Sequence, residues 1–326
     1  MNNLKILTNR RLNLQTIRQS LNGSTFSVMA AFIVISVAIA FFSPYYLTLG
    51  NFKSIGLYAS IIGVMAAGVT VSMLMAGLDL SQHAVAALAT VLTAMFVIQA
   101  KMPLGLAIPI VLIICAFCGL INGILIAVFG ISPMIATMGS QYVIRGLCYI
   151  LTEAKTILFK DKALEFIGRG NILGIPNSIL IMAIVFLVLG FILSNTRYGR
   201  NVYAVGSNEK AAFLSGINTV KTKLIAYIIA GVCSGIAGII IISQVGASVP
   251  SSGLGSEMEI IAAVYLGGVA ATGGKGSLFG TFLGVLVICV INNGLTLVGV
   301  QSYWQILVRG VVIIVAVYMD HIRSKK

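Results

Sequence analysis

Four neutral amides, Asn122, Gln141, Asn292 and Asn293, lie inside long apolar runs. An amide can hydrogen-bond a hydroxyl group without holding a permanent charge, so such residues suit weak, repeated contacts with a polyol moving through a protein. Their other common use is to hydrogen-bond one helix to its neighbour. Three charged residues share this apolar setting: Asp79 within GLDLSQ, Arg145 and Arg309. A charge in a bilayer is costly and faces protein or water. Asp79, with Gly77 before it and Ser81 after it, is placed to cap the helix that follows. An ion-coupling site is its alternative use, although no second acidic residue stands clearly inside an apolar run.

Groups that would support catalysis are missing from the pattern. Gly273-Gly274-Lys275-Gly276 lacks the spacing of a phosphate-binding loop and its following Ser or Thr. No HExxH, zinc-type Cys/His set or GxSxG occurs, and the chain has only two histidines, His83 and His321. Without a nucleophile, base and orienting group the sequence reads as a non-enzyme that holds no cofactor or metal of its own. The five cysteines all fall in apolar runs and read as small packing residues, Cys115 and Cys118 included.

The elements that must position these residues are legible from composition. Of 326 residues, 59% are hydrophobic and 9% charged, against about 25% charged in a soluble domain. A spanning helix needs about 20 apolar residues. The chain therefore reads as all-α, a polytopic transmembrane helix bundle and a single transmembrane domain over 1–326. About ten spans are expected, at 25–42, 54–75, 82–99, 104–129, 133–151, 177–194, 224–243, 258–271, 278–298 and 303–319. The first run reads as a span and not as a cleavable leader, because a long polar stretch precedes it and no small-residue cleavage site follows.

Net charge is +13, and its distribution sets orientation. Lys5, Arg10, Arg11 and Arg18 precede the first run; Arg197, Arg200, Lys210, Lys221 and Lys223 fall between the sixth and seventh; Arg323, Lys325 and Lys326 end the chain. The positive-inside rule puts all three groups, and so both termini, in the cytoplasm. An even number of spans agrees with that placement. The basic charge is thus read as topology in a lipid bilayer and not as a nucleic-acid surface. On the outer side, 152–176 forms a loop of mixed charge. It reads either as a docking surface, with Lys155, Lys160, Lys162 and Arg169, or as a solvated connector.

Glycine is frequent, at 35 residues. Gly276, Gly280 and Gly284 fall at four-residue spacing, as do Gly119 with Gly123 and Gly231 with Gly235. That spacing leaves one helix face bare enough for another backbone to approach. These positions are expected to be helix-packing sites. The segments 76–88 and 272–284 share a weak resemblance as short Gly-containing links.

The polar island at 195–223 separates a first group of six spans, within 24–194, from a last group of four, within 224–319. Asn208 is a good N-cap, Glu209 favours the positive end of a helix, and Gly216 is a natural stop. Phe213 and Leu214 give this short helix an apolar side suited to a groove in a partner protein or to the membrane interface.

At these residues the chain resembles permease subunits of bacterial ATP-binding-cassette importers for monosaccharides, the ribose type, within the branched-chain amino acid and ribose permease superfamily. The segments GSNEKAAFLSGIN, EIIAAVYLGGVAATGGKGSLFGTFLGVLVICVINNGL, VGVQSYWQ and AGLDLS carry the likeness, which runs from about 42 to 320. Leu78 and then Gln82-His83 depart from the usual pattern at this link. The resemblance implies a multi-pass protein of the bacterial inner membrane that pairs with a second permease copy, identical or not. It implies cytoplasmic ATPase subunits that bind the ATP and Mg, and a periplasmic sugar-binding protein. It also implies that Asn208, Glu209, Ala212 and Gly216 belong to the segment coupling the ATPase to transport. An ion-coupled secondary transporter, a permease for a sugar-like signalling molecule and a scaffolding subunit are the alternatives left open.

Overall fold

The computed structural model of the chain describes residues 23–158, 161–301, 303–308, 310, 311, 314 and 318. The basic residues Lys5, Arg10, Arg11, Arg18, Arg323, Lys325 and Lys326, together with Lys160, Arg309, His321 and much of the run 303–319, lie outside the described residues.

Long apolar runs become helices because a helix satisfies every backbone group internally, the condition for crossing a bilayer. The principal ones are α1 (Gly23–Phe42), α2 (Leu49–Met73), α3 (Gln82–Ala94), α4 (Leu104–Ala127), α5 (Pro133–Thr152), α6 (Lys162–Arg169), α7 (Asn177–Asn195), α8 (Arg197–Ser207), α9 (Glu209–Leu214), α10 (Thr219–Val245), α11 (Glu257–Leu266) and α12 (Leu278–Leu297). A π-helical turn, Met95–Gln99, extends α3. Helix starts obey local chemistry. Thr48, Asp161, Asn208, Asn218 and Ser277 each accept a first-turn backbone N–H at the start of α2, α6, α9, α10 and α12. Pro133 opens α5 at a position where a missing N–H is harmless.

Among the described residues, six helices are long and apolar enough to cross a membrane: Leu49–Met73, Gln82–Gln99, Leu104–Ala127, Asn177–Asn195, Thr219–Val245 and Leu278–Leu297, with Val28–Phe42 a shorter apolar helix. The chain is a multi-pass all-α membrane protein. The expected span at 133–151 is helical as α5, but its polar residues leave it outside that set. The run 258–271 behaves differently: its helix, α11, has ten residues, about 15 Å at 1.5 Å per residue, or half of an apolar bilayer core. Glycines end it. Gly268, Gly273, Gly274 and Gly276 take positive φ values that other residues avoid, and the chain runs irregularly through 267–277.

α10 is the central post, packed against α2, α3 and α4. The two glycine pairs noted in the sequence meet in this seam. Gly231 faces the Cys115 carbonyl of α4, and Gly119 faces the Tyr227 carbonyl of α10. α11 packs on α12, which also meets α1 and α2, while α3 packs on α5. Gly280 and Gly284 of α12 lie against the Gly267 and Ala263 backbones; Gly276 precedes α12 and lies against Val269.

The two ends of the bundle are distinct. Two short ribbons close one end: β1 (Ile157–Leu158) with β4 (Ala247–Ser248), and β2 (Asn171–Ile172) with β3 (Ile175–Pro176). The β1–β4 ribbon ties the 153–176 loop to the link that follows α10. The other end carries the polar island, built as α8 and α9.

Candidate functional site

The bundle core is broken from both ends. At the island end α2 stops and residues 74–81 run irregularly before α3 begins. The Gly77 N–H returns to the Ser72 carbonyl at 2.9 Å, turning the chain back into the bundle. The Asp79 carboxylate then accepts from the Ser81 N–H at 2.9 Å and from the Ser81 hydroxyl at 2.6 Å. Asp79 therefore shapes the turn just before α3 instead of capping the amides of that helix. Ser81 accepts from the Asn122 amide at 2.9 Å, and the Asn122 carbonyl accepts from Ser140 at 2.6 Å. The Leu80 N–H donates to Thr137 at 3.1 Å. One buried polar chain thus joins α3, α4 and α5. Burial without such partners costs several kcal/mol in a medium that cannot hydrogen-bond, so the chain fixes where the break sits.

At the opposite end the link 246–256 runs irregularly between α10 and α11. Arg145 of α5, only 4% exposed, donates through Nη1 to the Pro250 carbonyl at 2.7 Å and the Ser252 carbonyl at 2.9 Å. Gly253 packs against His83 of α3, and the Ser248 and Thr90 hydroxyls meet at 2.9 Å. Gln141 donates to Glu257 at 2.7 Å. Two residues on, the buried Glu259 accepts from the Tyr58 hydroxyl at 2.8 Å and from Asn292 at 3.1 Å. Beside it lies a cavity of about 240 Å³ lined by Ser54, Tyr58, Asn292, Asn293, Thr296 and Gln305, among others. Asn293 itself donates to Asn51 at 2.8 Å.

The Arg145 clasp gives a direct expectation. Replacing Arg145 with Met leaves two link carbonyls without their donor, each worth about 1–3 kcal/mol when buried, while it also removes a buried charge. The link is expected to loosen more than the protein as a whole. Maleimide labelling of Ser252→Cys checks this: with Arg145→Met added, the rate rises by about tenfold or more, the change that 1.4 kcal/mol produces. Equal labelling rates in the two backgrounds would show that the clasp does not hold the link.

The island end carries a formed surface. α9 starts at Asn208, whose side chain accepts from the Ala211 N–H at 3.0 Å, and stops at Gly216 with φ 83°. The Ile217 N–H closes the helix end on the Ala212 carbonyl at 3.1 Å. Ala212 is buried, whereas Phe213 and Leu214 are 68% and 84% exposed. α8 fastens this helix to the bundle. The Tyr198 hydroxyl donates to the Thr222 carbonyl at 3.2 Å and the Tyr203 hydroxyl to the Gly276 carbonyl at 3.1 Å. Burial pushes the Tyr198 phenol up, keeping it a neutral donor at ordinary pH. Gly206 lies on the Leu74 carbonyl, which also accepts the Gly274 N–H at 2.8 Å. The island thus touches both the break at 74–81 and the irregular stretch at 267–277.

Residues 51–317 match the family model described as the branched-chain amino acid transport system permease component. The chain belongs to that family. The permease is 37% identical over 300 residues to the ribose import permease protein of Haemophilus influenzae, covering 91% of this chain and 93% of that one. It is 36% identical over 299 residues to the D-allose transport system permease protein of Escherichia coli K12, covering 90% and 91%. It is 33% identical over 300 residues to the L-arabinose transport system permease protein of the same strain, covering 92% and 91%. No solved structure matches it.

The permease brings some sequence-singled residues together and separates others. Asn208, Glu209, Ala212 and Gly216 form one helix and its stop. Asn292 and Asn293 share a cavity wall, Gln141 is bonded to Glu257, and Asn122 is fully buried between Ser81 and Ser140. The four amides therefore occupy three separate places. Sequence reading missed Tyr58 as a partner of Glu259, and Lys223 as a partner of Glu209 at 2.6 Å. Tyr58 stands in an apolar run, where a tyrosine invites a search for the acceptor of its hydroxyl. Lys223 had only its charge, which is the same signal as its neighbour Lys221 gives.

Proposed function

We propose that the chain is the membrane-spanning permease subunit of an ATP-driven importer that carries a monosaccharide, a pentose or hexose of the ribose, allose or arabinose kind, across the bacterial inner membrane. The observation carrying this reading is likeness along nearly the whole chain to permeases named for those three sugars. In the working assembly two permease copies face each other, two ATPase subunits bind ATP and Mg at the cytoplasmic island, and a periplasmic binding protein docks on the opposite end, the 153–176 loop included. This chain contributes no nucleotide site. The exposed Phe213 and Leu214 on a capped, anchored α9 support the ATPase-facing assignment of Asn208, Glu209, Ala212 and Gly216.

Transport then follows from two-state mechanics. Closure of the ATPase pair displaces α9 and with it α8, which rests on the break at 74–81 and on the 267–277 stretch. Packed helices switch between discrete arrangements, so a small displacement exchanges which end is open. For the sugar path, the cavity beside Asn292 and Asn293 supports a lining role for these two; Gln141 and Asn122, already hydrogen-bonded, would join only as the breaks rearrange.

Reconstitution in proteoliposomes tests the reading. With the ATPase and binding protein present, uptake of D-ribose, D-allose or L-arabinose should require ATP and stop with vanadate. Uphill uptake by this chain alone, driven by an ion gradient, would replace the proposal with a secondary transporter.

A further inference from the structure

The ion pair between Glu209 at the start of α9 and Lys223 in the first turns of α10 bridges the island to the central post of the bundle, with 2.6 Å between the charged atoms. The Lys223 side chain is 18% exposed and that of Glu209 51%. One helical turn further along α10 the same face carries Tyr227, 1% exposed. Its hydroxyl rests on Gly77, in the middle of the break. A Cβ at Gly77 would stand 2.6 Å from that hydroxyl oxygen and 3.3 Å from the ring carbon bearing it. Among the described residues the hydroxyl has no hydrogen-bond partner. Two residues beyond Gly77, Asp79 holds Ser81 and so the start of α3. Glu209, Lys223, Tyr227 and Gly77, with Ser72 and Ser132, also line one cavity of about 450 Å³.

These contacts form an unbroken route: α9, ion pair, first turns of α10, Tyr227, Gly77, Asp79, α3. We infer that Lys223 and Tyr227 are positioning residues that carry displacement of α9 to the break at 74–81. The inference rests on α9 being the ATPase-facing element. Three physical features support it. A charge pair with one partner largely shielded from water resists separation more than a fully exposed pair. The cavity beside it gives the end of α10 room to swing without compressing packed side chains, which elsewhere in the bundle are close-packed. A buried hydroxyl with no partner marks an arrangement that is incompletely satisfied. A shift of the break that brings an acceptor to Tyr227 therefore recovers free energy, and Gly77 lets the ring sit close enough to feel that shift.

A charge-swap series on the full chain, assembled with its ATPase and binding protein, tests the route. The readout is sugar moved per ATP hydrolysed, using whichever of D-ribose, D-allose or L-arabinose the parent takes up fastest, alongside co-purification of the ATPase. Glu209→Lys and Lys223→Glu are each expected to lower the ratio by about fivefold or more, the lower range of typical coupling free energies. The double swap is expected to return it to within about twofold of the parent, as a direct pair interaction requires. A ratio unchanged in the single variants, or unrestored in the swap, overturns the proposal. Loss of the ATPase from Glu209→Lys that the swap does not regain overturns it too, by making Glu209 a docking residue; the ATPase-facing reading of α9 then stands. That reading fails separately if substitutions at Phe213 and Leu214 leave both ATPase binding and uptake unchanged.

Two further variants avoid dependence on charge. Glu209→Cys combined with Lys223→Cys should regain coupling when a short bis-methanethiosulfonate bridges the two positions, because they move as one. Arrest that a reductant reverses shows that they part during the cycle and overturns the proposal. Tyr227→Phe removes a hydroxyl that has no hydrogen-bond partner among the described residues, so the fold should persist while the ratio falls. An unchanged ratio overturns the assignment of Tyr227.

Discussion

Gly231→Leu is expected to remove folded protein almost completely, while Gly139→Leu leaves its level near that of the parent. Gly231 sits in the glycine seam where the α10 and α4 backbones approach each other closely. A Cβ added there would collide with the Cys115 carbonyl oxygen and stand 3.1 Å from the Gly119 nitrogen and 3.2 Å from the Cys115 carbonyl carbon. All three obstacles are backbone atoms of a 24-residue helix, so no side-chain rotation relieves them. Gly119 mirrors the arrangement against Tyr227 and Ile228 of α10. Overpacking a core costs about 1–3 kcal/mol when side chains can adjust, and more is expected where a helix must move. α10 also packs on α2 and α3, so shifting it disturbs three contacts at once. Against a total stability of about 5–15 kcal/mol, that is a large fraction. Gly139 has nothing within 4 Å of the equivalent position. Size-exclusion profiles and melting temperatures of the detergent-purified variants check the contrast. Equal melting temperatures for the two leucine variants would contradict the seam.

Loss of the ATPase is the second large effect. Phe213→Glu combined with Leu214→Glu should abolish its co-purification while the permease itself folds normally. Both side chains are exposed, at 68% and 84%, on a helix whose other face is anchored by the buried Ala212. Exposed apolar residues on a rigid, capped support are the anchors that a partner's groove covers, and truncating such an anchor costs about 2 kcal/mol or more. Two charges placed into that groove add a desolvation cost, so association weakens by about a thousandfold or more, some 4 kcal/mol. Uptake should fall in parallel. The melting temperature should not change, because neither residue packs in the bundle. Retention of the ATPase at parental stoichiometry would remove α9 from the interface.

These two expectations differ in how far the sequence could reach them. The α9 surface was readable: an asparagine cap, a glutamate at the first position, two helix-forming alanines and a glycine stop all act within one or two turns. The glycine seam was half-readable. Four-residue spacing marked Gly119 with Gly123 and Gly231 with Gly235 as bare faces, but the spacing carries no record of which faces meet. The run 258–271 shows the opposite case. Its apolar composition suggested a crossing, yet Gly267 and Gly268 end the helix after Leu266, and the glycines beyond keep the chain irregular to Ser277.

Arg145 makes the same point for charge. Its place in an apolar run required that protein or water face it. The partners are two backbone carbonyls of a link about a hundred residues away in the chain, which carbonyl dipoles permit and sequence does not display. Likewise, Asp79 was expected at a helix start and stands there, but its bonds go to Ser81 and shape the turn itself.

By itself, the sequence determined that this chain fills a bilayer with helices, where most of them begin, and that a capped polar helix stands among them. Those outcomes depend on hydropathy and on hydrogen bonds between near neighbours, which the order of residues states directly. Only the tertiary structure decided that the core is broken from both ends, that Glu209 meets Lys223, and that Tyr227 rests on Gly77. Such meetings depend on the relative tilt and depth of whole helices, which many weak packing contacts set together and no local pattern encodes.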